Sequence, residues 1–124
     1  MNYEDRVTKE YVENAVALAA PKIAGGRYTG TGDEEYTMAL GFTPKVVFIF
    51  PFNGEMYESK SSERYYYGGI IGENQPLRDT GDNDGEYITT GGFVVMNKSF
   101  VTDPITHWHR TNVSSFPYYY LAIG

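Results

Sequence analysis

The sequence predicts an all-β fold, an antiparallel β-sandwich of about seven to nine short strands behind one short N-terminal α-helix. Three observations carry that expectation. The 124 residues include 14 glycines, 12 tyrosines and 7 phenylalanines, a composition of aromatic strands and tight turns. Beyond Pro21 the apolar residues recur every second position between turn signals, as strands require. Before Pro21 the period is helical, and no second helical stretch follows. Two segments result, 1–21 as a helical, stalk-like lead and 22–124 as the sandwich.

Residues 8–20, "TKEYVENAVALAA", open with Thr8 as N-cap and close at Pro21. Tyr11, Ala15 and Leu18 share one side with Val12, Val16 and Ala19. A helix this short is marginal alone, so its apolar side must pack on its own sheet or on copies of itself. A first strand is expected near residues 27–31 and a second at 35–40, after the turn "GDEE". "KVVFIFPF" is apolar on both faces, which marks a central strand covered on both sides. Residues 53–63 read as a polar loop, "RYYYGGIIG" as one strand, and 73–86 as a long acidic loop. "YITTGGFVVMN" reads as a hairpin, and "DPITHWHRTNV" and "SFPYYYLAIG" supply the last strands.

The charge balance narrows function. A net charge of −6 lacks the basic stripe a nucleic-acid binder needs, and it opposes anionic membranes. No apolar run approaches the ~20 residues of a membrane span. The N-terminus "MNYEDRVTKEY" has no apolar core of a secretory signal, so synthesis in a cytosol is expected. Without cysteine there is no disulfide framework, thiol nucleophile or thiolate metal site.

Five stretches follow one another in order: "VTKEYVENAVALAAPKI", "GRYTGTG", "LGFTPKVVFIF", "GGFVV" and a terminal "YYYLAIG". In this the chain resembles the C-terminal receptor-binding-type domain of tail-fibre and tail-tip proteins of bacteriophages and prophages. The resemblance implies a small all-β domain in a homotrimer, displayed on the virion tail beside other tail proteins. It further implies contact with a host surface, for which a glycan is the expected ligand. A purely structural virion part, in capsid decoration or tail assembly, is the alternative.

Site candidates come from the aromatic runs. In "PYYYLAIG" alternation sets Tyr118, Tyr120 and Ala122 against Tyr119, Leu121 and Ile123. The second set is expected in the core, and Tyr118 and Tyr120 at a subunit interface with Val12 and Val16. In "RYYYGG" Tyr65 and Tyr67 share a face, and in "THWHR" Trp108 and Arg110 do. These four are the candidate ligand surface, because an aromatic ring beside an arginine suits a sugar; subunit packing and plain sheet surface are the competing assignments for the two tyrosines. The tips of 53–63 and 73–86 are expected to join them, with Trp108 as a core or interface residue the competing assignment. His107 and His109 are expected to be exposed strand histidines; on a threefold axis they would offer six imidazoles to one metal ion. Asp79, Asp82, Asp84 and Glu86 lack EF-hand spacing and leave only an irregular calcium site open. No G-x-S-x-G elbow, Walker loop or H-E-x-x-H is present, so no enzyme, cofactor or metal is expected.

Overall fold

The computed structural model describes residues 22–124, and the expected helix with Val12 and Val16 lies outside them. Ten strands form: β1 (Ile23–Thr29), β2 (Glu35–Ala39), β3 (Val46–Pro51), β4 (Tyr57–Lys60), β5 (Glu63–Tyr66), β6 (Gly69–Gly72), β7 (Tyr87–Thr89), β8 (Gly92–Thr102), β9 (Ile105–Arg110) and β10 (Pro117–Ile123). They make two sheets packed as a sandwich. One has the order β1-β10-β3-β6, and the other runs β2-β8-β9-β5-β4 with β7 added beside β8. The fold is all-β as expected. The strand pairs are antiparallel except β5 and β9, which run parallel.

The count exceeds expectation because two stretches divide differently. "RYYYGGIIG" is two strands in two sheets, with Tyr65 and Tyr66 in β5 and Ile70 and Ile71 in β6. Gly68 and Gly69 allow the switch: a Cβ on Gly68 would strike the Ile49 carbonyl oxygen, and one on Gly69 the Leu77 side chain. The segment 53–63, expected as a loop, supplies β4 and the turn of a β4–β5 hairpin. Its alternation of charged and small residues is that of a sheet edge, which carries little periodic signal.

The core joins both sheets through Tyr28, Val47, Ile49, Ile71, Phe93, Val95, Tyr118 and Ala122. Each large apolar side chain so buried stabilises the fold by roughly 1.5–3 kcal/mol. β10 lies between β1 and β3, with Tyr118 opposite both Tyr28 and Pro51. That register turns the Tyr118, Tyr120 and Ala122 side inward. The sequence expectation is therefore inverted: Tyr118 and Ala122 are fully buried and Tyr120 packs on the core, while Tyr119 and Leu121 are exposed. Tyr118 is thus committed to its own chain's core rather than to a subunit interface. Its ring stacks on Tyr28 with centroids 5.0 Å apart. Its hydroxyl donates to the Arg110 carbonyl (2.7 Å) and accepts from the Val113 amide (3.1 Å). The Tyr28 hydroxyl donates to the Thr111 carbonyl at 2.7 Å. Burial pushes both phenols up, Tyr118 to about 12.

β3 is central, as its apolar run predicts, but among the described residues only one of its faces is covered. Val47, Ile49 and Pro51 are buried, whereas Phe48 is half-buried and Phe50 exposed.

Candidate functional site

β9 sends Trp108 and Arg110 to one side and His107 and His109 to the other. Parallel pairing sets Tyr65 beside Trp108 and Tyr66 beside His109. The four residues expected to form a ligand surface therefore do meet. The Arg110 guanidinium lies over two rings, 4.9 Å from the Tyr65 centroid and 4.8 Å from the Trp108 ring. Tyr65 and Tyr67 lie nearly parallel at 6.1 Å, and the Lys60 ammonium sits 5.5 Å from the Tyr65 centroid. Tyr65 is largely covered by these neighbours; Tyr67, Trp108 and Arg110 are half-buried. The Tyr65 hydroxyl donates to the Glu63 carboxylate, which raises the phenol's pKa. Burial chiefly, with Glu58 nearby, raises that of Tyr67.

Two donors on this face have no partner among the described residues. Trp108 Nε1 and Arg110 Nε are both shielded and unbonded among the described residues. A shielded N–H without an acceptor costs about 1–3 kcal/mol, and an incoming oxygen reaches either one only if neighbouring side chains shift. The half-buried Tyr67 and Trp108 rings with the Arg110 guanidinium form a surface that can hold a ligand with both an apolar face and hydroxyls.

The histidine side is closed. His107 and His109 are buried under the 73–86 loop, not exposed as expected. His109 Nδ1 lies 2.7 Å from Glu86 Oε1, and Nε2 lies 3.0 Å from Asp79 Oδ2. A carboxylate at each nitrogen favours the protonated, imidazolium form of the ring. Burial opposes that charge, but the Glu86 and Asp79 carboxylates outweigh it and raise the pKa of His109. Thr111 Oγ1 donates to Glu86 Oε2 at 2.6 Å. Asp79 Oδ1 accepts from the amides of Gly81 (2.9 Å) and Asn83 (3.0 Å) and from the Asn83 side chain (3.1 Å). Burial resists its ionisation, yet His109 and these donors hold the Asp79 pKa below its ordinary value. Tyr66 completes the roof, stacking on His109 at 5.2 Å and accepting from the Thr80 amide at 2.9 Å.

This network is sealed, with Glu86, His109 and Thr111 all fully buried, so it offers a substrate no access. It also removes the threefold-axis metal site, since neither imidazole reaches the surface. The calcium alternative fails on direction. Asp79 and Glu86 point inward to His109, while Asp82 and Asp84 are exposed and Asp84 pairs with Arg78 at 2.9 Å. Among the described residues no group of three or more histidines and carboxylates is arranged to hold a metal ion.

A groove of about 340 Å³ runs beside this loop, lined among others by Glu35, Asp84, Tyr87, Met96, Lys98 and Phe100. It lies with the histidine-side residues of β8. The 53–63 segment borders the Trp108 face through Lys60, but the 73–86 loop belongs to the other side and leaves that face. Sequence reasoning missed the Asp79–His109–Glu86 network, because no spacing rule links a loop carboxylate to a strand histidine 23 residues away.

Family models, curated proteins and solved structures were compared with the chain, and none matches it.

Proposed function

We propose that the chain is a host-surface-binding module of a phage tail fibre or tail tip, and that Tyr65, Tyr67, Trp108 and Arg110 contact a surface carbohydrate. The observation that carries this is the meeting of those four side chains on one face. A pyranose offers an apolar face of C–H groups to Trp108 or Tyr67, and hydroxyl oxygens to the outer nitrogens of the Arg110 guanidinium. Lys60 and Arg110 share the face with Glu58, which pairs with Lys60 at 3.4 Å, and with Glu63, so the face carries no excess of positive charge. The tail location and the homotrimer rest on the sequence resemblance alone.

Trp108 is the only tryptophan, so its emission reports the face directly. Titration of the chain with fragments of a host-wall glycan is expected to quench or shift that emission saturably. Binding to host cells is expected to fall at least about tenfold in Trp108→Ala, the equivalent of about 1.4 kcal/mol. Saturable binding that Trp108→Ala leaves intact would move the site elsewhere. Absence of binding with tight docking onto another tail protein would overturn the adhesion role.

A further inference from the structure

β8 is eleven residues long, and its two edges are unequally used. Along one edge it pairs with β7 and then with β9; along the other, β2 covers only Gly92 to Met96. Two bonds fix which way each backbone group points. Met96 turns to the β9 side, where its carbonyl accepts from the Thr111 amide at 2.8 Å. Asn97 turns to the β2 side, where its amide donates to the Glu34 carbonyl at 3.0 Å. Ser99 and Val101 therefore aim their amides and carbonyls the way Asn97 does, past the end of β2, where no described residue pairs with them. Upstream of Glu34 the chain leaves this line, its Gly32 amide donating to the Asn112 carbonyl at 3.0 Å. Burial falls in step, from Met96 at 3% exposed to Val101 at 69%.

We propose that this half of β8 is a docking edge for an extended peptide of a partner protein, added antiparallel in line with β2 and bearing basic residues at its C-terminal end. A row of unpaired amides and carbonyls is a template for such a strand. The groove of about 340 Å³ lies alongside, lined by Met96, Lys98 and Phe100 of β8 and by Glu35 of β2, so every second peptide side chain has a place. An apolar one fits opposite Phe100. Charge sets the direction and the end. Asp33, Glu34 and Glu35 are exposed and have no ion pair among the described residues, and they stand where the peptide's C-terminal end arrives. Lys98, the only basic side chain of the open stretch, is drawn instead over the Phe100 ring, 5.3 Å from its centroid. A second copy is a poorer match. Its β8 runs into a turn at Asp103, and antiparallel self-pairing carries that acid toward Glu34.

The test uses the full chain and a probe peptide of alternating valine and threonine that ends in two lysines and is blocked at both termini. Amide hydrogen exchange, followed residue by residue by NMR, reads the edge itself. In the free chain the Ser99 and Val101 amides are expected to exchange fast, and saturating peptide is expected to slow both several-fold. The same peptide ending in two glutamates should bind several-fold more weakly. Val101→Pro removes an N–H that the ladder does not use, so the variant should keep the parent's Tm and lose the peptide. Slow exchange of both amides in the free chain would show that the chain covers this edge itself, and slow exchange only at high concentration would show that a second copy does. Each result overturns the proposal, as would no saturable binding at millimolar peptide, equal binding of the glutamate peptide, or unchanged binding by a folded Val101→Pro.

Discussion

His109→Leu takes the only cation from between two buried carboxylates. Asp79 Oδ2 and Glu86 Oε1 then face an apolar side chain where each met an imidazole nitrogen at 3.0 and 2.7 Å. Breaking a buried pair from one side costs about 3–5 kcal/mol, because the remaining charge is left desolvated. A fold of this size holds about 5–15 kcal/mol in all. The variant is therefore expected to lose a fifth or more of its stability, a fall of about 12–20 °C in Tm. Urea denaturation at pH 6, followed by circular dichroism, measures this. His109→Leu/Glu86→Leu should recover much of the loss, since Asp79 keeps three N–H donors on Oδ1. The pH profile gives an independent check. His109 is raised above its ordinary 6.5, so its contribution is full below that pH and is lost as pH rises through the folded value. Asp79 is lowered below 3.8, so its contribution holds above that pH and is lost as pH falls through the folded value. Parent stability should thus decline on the alkaline side, and His109→Leu should lack that decline. A loss under about 1 kcal/mol at pH 6, the size of an ordinary substitution, would refute a charged His109.

Tyr118→Phe leaves the Arg110 carbonyl and Val113 amide without their partner and should cost about 1–3 kcal/mol, with light scattering giving an unchanged mass. A changed mass would restore Tyr118 to a subunit interface. A Cβ on Gly85 would enter the His109 ring, whereas one on Gly91 meets nothing within 4 Å but takes a φ of +80°. Gly85→Ala should therefore be the more destabilising in thermal melts, with Gly91→Ala costing only about 1 kcal/mol of backbone strain; the reverse order would contradict the packing described. Calcium and a chelator should each leave Tm within about 1 °C, since binding at 100-fold excess over Kd would add ~2.7 kcal/mol. A rise of several degrees with calcium would mean that Asp82 and Asp84 do bind it.

Periodicity made the fold class legible, and it named the residues that share the Trp108 face. Alternation alone places Trp108 with Arg110 and Tyr65 with Tyr67; only the parallel β5–β9 pairing puts the two pairs together, and no local signal encodes that. The tyrosine run of β10 misled because both of its faces are aromatic or aliphatic, so polarity could not say which turned inward. The glycine pair at 68 and 69 looked like strand because a sheet switch uses the residue that a bulge or turn would use. The burial of His107 and His109 was hidden for a different reason. It depends on a loop that crosses over them, and a carboxylate in such a loop resembles any solvated one until its partner is known.

The hydrogen bond from the Gly124 amide to the Lys22 carbonyl closes the described body at one corner. A body whose first and last strands meet at one corner can be cut and rejoined. Joining 124 to 22 through a few flexible residues and opening the exposed turn at Asn53–Gly54 should give a circular permutant with the same two sheets. By the same geometry the body can be inserted whole into an exposed loop of a carrier protein, held on a narrow double-stranded stem, with its Trp108 face carried along intact.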